Sequence, residues 1–238
     1  MEQNKIHLLC TRNLDGQLVK KAEQENILID DLSFILSQPL AADQLTEFAE
    51  VLEKKNVLAV FTSTNAVQAI SSMVKYKNTW KIFCTGGITK ETVKKHFGEE
   101  TIIATARNAS LLAEKIVLSG LSKQTIFFCG DQRLHDLPEI LKANGIAVTE
   151  IICYRTIQTP LTIEKDYDGI LFFSPSAVHS FFSMNTISTE VILFAIRNTT
   201  AAAIKTYCIN TTIISEWPGA ENLVSLAIKK YKKNMDGL

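Results

Sequence analysis

This 238-residue chain lacks most of the signatures that announce a chemistry. It has ten glycines but no G-x-G-x-x-G or G-x-x-x-x-G-K-[ST] run, so neither glycine-built phosphate cradle is present and a nucleotide cofactor is not supported. No G-x-S-x-G nucleophile elbow occurs either. The five cysteines, Cys10, Cys84, Cys129, Cys153 and Cys208, are odd in number and form no C-x-x-C, which reads as buried free thiols in a reducing compartment. His7, His96, His135 and His179 show no H-x-x-H or H-E-x-x-H spacing, so no metal is expected. Net charge is absent too: 25 basic side chains cancel 25 acidic ones, against the basic excess of a general nucleic-acid binder. No apolar run approaches the ~18 residues of a membrane span. The opening MEQNKIHLLC has no signal-peptide layout, so a cytoplasmic protein without a membrane or nucleic-acid partner is expected. No exposed apolar stripe stands out, and a monomer is the default.

What is present is a repeat. AVFTSTNAVQAI (59–70) parallels ILFFSPSAVHSF (170–181), pairing Phe61 with Phe172 and Ser63 with Ser174 at a constant offset of 111. The offset persists from Thr89 to Thr200 and from Ala109 to Ala220. Two similar halves are expected, with a ligand between them.

Short apolar strand-like runs alternate with helix-period segments throughout. Strands are expected at 6–10, 27–30, 57–63, 81–85, 101–105, 125–129, 147–157, 168–173, 191–196 and 211–215. Helices follow most of them, one near 43–54 and the last near 220–232. Such alternation predicts α/β architecture with doubly wound parallel sheets. One half runs continuously over 40–150. The other has only three strand–helix units at 166–238, and its missing elements occur at the N-terminus, where IHLLC parallels TIFFC at an offset of 119. The domains are therefore expected at 1–33 plus 166–238 and at 40–150. Extended crossovers at 34–39 and 151–165 would join them as a two-stranded linker.

Small hydroxyl residues recur where strands turn into helices: Thr62-Ser63-Thr64, Thr85 and Thr89 around Gly86-Gly87, Ser174-Pro175-Ser176, and Thr199-Thr200. Helix capping explains such residues. So does anion binding by the free N–H groups of a helix start, and glycines such as Gly86 and Gly130 bring backbone close to a ligand. Of five arginines, Arg12, Arg107, Arg133 and Arg197 follow strand ends, where guanidinium forks suit carboxylates; local ion pairing is the competing reading. Tyr154, in the second crossover, is a neutral phenol at pH 7 able to donate a proton to a leaving oxygen, or it packs the hinge.

In their order and spacing, several segments resemble the uroporphyrinogen-III synthase family. They are LLCTR (8–12), FTSTNAV (61–67), the turn ending in Thr89, FFCGDQRLHDLPEILKANG (127–145), TEIICYRT (149–156), YDGILFFSPSAVHSFF (167–182) and NTTAAAIK (198–205). The Y-x-T crossover and the F-F-S-P-S turn are the most specific. The resemblance implies two α/β domains on a two-stranded linker and a lyase of porphyrin, tetrapyrrole and haem biosynthesis without a cofactor. Its substrate would be linear hydroxymethylbilane, closed with ring D inverted. It also implies that Tyr154 assists departure of the ring A hydroxyl. Thr62, Ser63, Thr89, Ser174, Ser176, Thr199 and Thr200 match substrate-contact positions, and Arg12 and Gly86 join them from the reading above. The chain departs from the family pattern at Thr64-Asn65, often Pro-Arg, and at Arg197-Asn198, often Gly-Pro. A non-catalytic tetrapyrrole- or anion-binding regulatory module of the same fold is the alternative.

Overall fold

The computed structural model describes residues 5–217 and 219–235; residues 1–4, 218 and 236–238 of the expected discontinuous domain lie outside them. The strands are β1 (Ile6–Cys10), β2 (Ile27–Asp31), β3 (Ile35–Pro39), β4 (Leu58–Phe61), β5 (Lys81–Thr85), β6 (Ile102–Ala106), β7 (Gln124–Gly130), β8 (Ala147–Gln158), β9 (Gly169–Phe172), β10 (Ile192–Ala195) and β11 (Thr212–Ile214). The helices are α1 (Gly16–Glu23), α2 (Ala49–Glu53), α3 (Thr64–Ser71), α4 (Ile88–Phe97), α5 (Ala109–Ser119), α6 (Asp136–Ala143), α7 (Pro175–Phe182), α8 (Asn198–Lys205) and α9 (Ala220–Met235). The chain divides into two compact units: residues up to Leu36 with those from Ile157 on, and Ser37–Thr156.

The first unit holds a parallel sheet in the order β11-β10-β9-β1-β2. The second sheet has the order β3-β8-β7-β4-β5-β6. Its core pairs are parallel. At its edge, Leu40 N–H donates to Cys153 O and Thr159 N–H to Phe34 O, so β3 and β8 run in opposite senses. Residues 151–154, in the segment read as a crossover, lie within the ladder to β7. Written from equivalent edges, the orders are β11-β10-β9-β1-β2 and β6-β5-β4-β7-β8. Strands related by the 111-residue offset thus hold equivalent places.

Both faces of each sheet are covered, so the central strands are apolar throughout; LAVF of β4 is wholly buried. On one face of the second sheet, Phe61, Phe128, Ile151 and Cys153 pack with Ala66, Val67 and Ile70 of α3 and Val93 and Phe97 of α4. Phe128 stacks on Phe61 and on Trp80 at 5.3 and 5.6 Å. On the other, Val60, Phe127 and Cys129 meet Leu112 and Ile116 of α5 and Leu137 and Leu141 of α6. The first unit repeats this arrangement with two cores of its own.

The helix expected near 43–54 is broken. A 3-10 segment, Ala42–Phe48, departs from helical geometry at Leu45 (φ −106°) before α2 begins. β4 ends at Phe61, short of the expected strand end, which frees Ser63 to cap α3.

Candidate functional site

Each sheet has a point where successive connections leave in opposite directions: between β1 and β9 in the first unit, between β4 and β7 in the second. Open α/β sheets bind ligands beyond the carboxyl ends of the strands at such points. Arg12 and Ser174 follow β1 and β9; Ser63 and Asp131 follow β4 and β7.

In the second unit, Ser63 is the N-cap of α3 and its Oγ accepts from Asn65 N–H at 3.2 Å. The same oxygen accepts from the Tyr154 phenol at 3.1 Å. The half-buried ring of Tyr154 lies over Gly130, where a β-carbon would collide with the ring. Two bonds fix the backbone there: Asp131 N–H donates to Tyr154 O (3.2 Å) and Thr156 N–H to Asp131 Oδ1 (2.9 Å). Burial pushes the phenol's pKa above its ordinary value of 10, and the Ser63 hydrogen bond opposes that rise. Tyr154 is therefore a protonated donor at neutral pH.

Further hydroxyls bond to one another on the neighbouring turns. Thr64 Oγ1 lies 3.4 Å from Thr89 Oγ1, and Asn65 Nδ2 donates to Ser37 Oγ at 2.8 Å. Thr62 O accepts from Thr85 Oγ1 at 3.3 Å. Gly87, at φ +68°, turns the chain into α4, whose first turn carries the buried Thr89. Gly86 N–H is bound to Ala106 O (2.8 Å) and is not free for a ligand. A cavity of about 570 Å³ beside Gly86 is lined by Arg107 and Lys115.

In the first unit, Ser174 caps α7 by accepting from Ala177 N–H (3.1 Å), with Pro175 in the first turn. Ser176 is half-buried beside it, Thr199 is exposed in the first turn of α8, and Thr200 is only 1% exposed, leaving little of it for a ligand to touch. Arg12 is exposed, with its guanidinium 5.4 Å from the centre of the Phe173 ring. A second cavity of about 530 Å³, between Tyr167, Asn185 and Tyr231 near the amino ends of β9 and β10, contains none of these residues.

Arg133 differs from the reading of arginines gathered for a ligand. It donates to Glu150 at 2.6 Å, an ion pair that Lys142 joins at 3.4 Å. Residue-type reasoning also missed Gly130 as the partner of Tyr154. The signal was a glycine ending an apolar strand, but its partner lies 24 positions away in sequence.

Burial raises the thiols of Cys10, Cys129 and Cys153 to about 12 and that of Cys84 to about 11. Among the described residues, no group of three or more His, Cys, Asp or Glu side chains is placed to hold a metal, and no helix is long and apolar enough to cross a membrane.

No curated protein matches the chain by sequence. Solved structures share its fold. The uroporphyrinogen-III synthetase of Helicobacter pylori 26695 is 16% identical, with a TM-score of 0.68 over 94% of this chain and 99% of that one. A mutant uroporphyrinogen III synthase of the extremely thermophilic bacterium Thermus thermophilus is 15% identical, with a TM-score of 0.64 over 98% of this chain and all of that one. The family model for uroporphyrinogen-III synthase HemD matches residues 17–225, from α1 into α9. Since that match takes in strands and helices of both units, the chain belongs to the uroporphyrinogen-III synthase family.

Proposed function

We propose that this protein is an active uroporphyrinogen-III synthase, a cyclising hydro-lyase that closes linear hydroxymethylbilane with ring D inverted. The observation that carries the reading is the Tyr154 phenol: half-buried, protonated, and hydrogen-bonded to the hydroxyl that caps α3.

In this reaction the Ser63 hydroxyl turns to donate to the phenol oxygen, the ring A hydroxyl takes the phenol's proton and leaves as water, and the ring A pyrrole N–H returns a proton to the phenolate, giving an electrophilic azafulvene. The substituted α-carbon of ring D attacks it, and the spiro intermediate fragments and recloses with ring D reversed. Free in solution, the unsubstituted α-position attacks first and gives isomer I. The enzyme's task is therefore positional: one carbon must be held within reach while another is kept away. The substrate's eight carboxylates suit N–H groups at helix starts. The residues we assign to substrate are Arg12, Thr62, Ser63, Gly86, Thr89, Ser174, Ser176, Thr199 and Thr200, with Gly86 and Thr200 acting through the shape of their turns and Ser63 acting through Tyr154. The same reading makes the protein a cytoplasmic monomer that works on a small molecule without a cofactor.

The test supplies fresh hydroxymethylbilane, oxidises the products and separates the uroporphyrin isomers chromatographically. Isomer III in excess over the enzyme-free control supports the reading. Isomer I alone from folded protein overturns it, and tetrapyrrole binding without conversion then identifies a binding module.

A further inference from the structure

The place of Tyr154 is at odds with the alternation of its own strand. In β7, Ile126 and Phe128 face the α3 side while Phe127 and Cys129 face the α5 side. In β8, Ile151 and Cys153 face α3, and Val148 and Ile152 face α5. Strict alternation would send residue 154 to the α5 side with 148 and 152. Tyr154 instead packs against the α3-side core. The ladder explains why: Cys129 pairs with Ile152, but Gly130 pairs with Tyr154, so the register shifts by one and Cys153 is the extra residue. A bulge of this kind re-aims the side chain that follows it. Continuing β7's alternation, position 130 also faces the α3 side, and the atoms nearest a β-carbon built there are Cζ, Cε2 and Oη of Tyr154. The redirected ring thus needs a glycine beneath it, and it ends at Ser63 Oγ, itself fixed by the first turn of α3.

We propose that the extra residue Cys153, the bare backbone of Gly130 and the hydroxyl of Ser63 form one device that positions the Tyr154 phenol for proton donation. The proposal rests on the synthase reading for its purpose, but the device itself can be tested without turnover. Ser63 and Gly130 are positioning residues, acting through the tyrosine.

The variants are Ser63→Ala, Ser63→Thr, Gly130→Ala and Tyr154→Phe, alone and with Tyr154→Phe as background. Gly130→Ala is compatible with the fold because the nearest obstruction is the end of a side chain that can swing away. Displacing the phenol by about 1 Å should lower kcat about 100-fold with little change in KM. Ser63→Ala should lower kcat about tenfold, the worth of one hydrogen bond, and Ser63→Thr should restore most of that loss. In the Tyr154→Phe background neither substitution should cost further rate. Losses that add to that of Tyr154→Phe overturn the proposal.

The second readout is fluorine NMR of protein labelled with 3-fluorotyrosine, with the Tyr154 line assigned by its absence in Tyr154→Phe. Ser63→Ala should move the phenol's titration to higher pH, because the Ser63 hydroxyl, which turns to donate to the phenolate once the proton has left, is gone. Gly130→Ala should move it down, because the ring is pushed toward water. A Tyr154 line that stays fixed in position and titration in both variants overturns the device, whatever the activity. If the line moves while the wild type yields only isomer I, the device stands and the synthase reading falls.

Discussion

At the scale of single residues, the proposed chemistry rests on Tyr154, and its environment sets the sign of its pH dependence. Its pKa lies above the ordinary 10, so the donor form is complete throughout the neutral range. No loss of rate owed to this group should occur in the neutral range, and the midpoint of any loss should lie above pH 10. Tyr154→Phe removes the proton but keeps the ring on Gly130. We expect kcat for isomer III to fall about 100-fold, the lower end of what a positioned acid supplies, with an unchanged circular dichroism spectrum. Full activity in that variant would leave the tyrosine a packing role. The thiols provide a separate test. Cys10, Cys84, Cys129 and Cys153 are buried and Cys208 is half-buried. The thiolate is the reactive form, so a thiol reagent at about pH 8 should modify Cys208 first, and all five only in denaturant. Rapid loss of more than one thiol from native protein would contradict this burial. Tyr154 and Ser63 could each be singled out in the sequence. Their pairing could not, because it spans 91 positions and depends on a register shift that no residue type announces. Thr200 shows the converse: its place in a hydroxyl-rich turn suggested contact with a ligand, yet the first turn of α8 folds it inward.

At the scale of elements, most strands were legible because burial on both faces demands continuous apolar runs. The helix near 43–54 was not, because its apolar spacing persists through the kink at Leu45. The twelve-residue β8 was legible in extent but not in function. Its first half is a sheet strand, its bulge turns Tyr154, and its end leads into the other unit. Glu150 anchors this strand to the segment after β7 through Arg133. Burial raises the carboxyl's pKa, but the hydrogen bond and charge of Arg133, with help from Lys142, outweigh it and bring the value below the ordinary 4.5. A depressed carboxyl stabilises the fold above its unfolded pKa, and that stabilisation is lost as pH falls through the folded value. Glu150→Gln should therefore cost about 1 kcal/mol at pH 7. The gap from wild type should close progressively below pH 4.5. Urea denaturation at about pH 7 and about pH 3 checks this, and an equal gap at both would rule out the ion pair as its source.

At the scale of the whole molecule, the repeat is the deepest legible feature. Equivalent strands at an offset of 111 occupy equivalent places in two sheets, and β1 and β7 correspond at 119. The units change after Leu36 and after Thr156, inside the segments 34–39 and 151–165 read as crossovers; residue patterning did not place these points more finely, because β3 and β8 run through them as regular strands. Each unit has cores on both faces of its own sheet, so each holds enough buried apolar surface to unfold as its own cooperative step. Gly169 tests this. A β-carbon there would lie 2.7 Å from Tyr231 Oη and 3.0 Å from Ile192 O. The first contact disturbs the bond that Tyr231 donates to Asp168 O at 2.6 Å; the second is to backbone that cannot easily yield. Gly169→Ala should destabilise the first unit by about 1–3 kcal/mol, the usual cost of overpacking. Trp80, 2% exposed in the core of the second unit, reports on that unit alone once Trp217, the other of the chain's two tryptophans, is replaced by Phe. In that background, Gly169→Ala should shift one part of the circular dichroism melt to lower temperature and leave the Trp80 fluorescence midpoint in place. If both probes shift together, the two units unfold as one and the independence inferred from their separate cores is wrong.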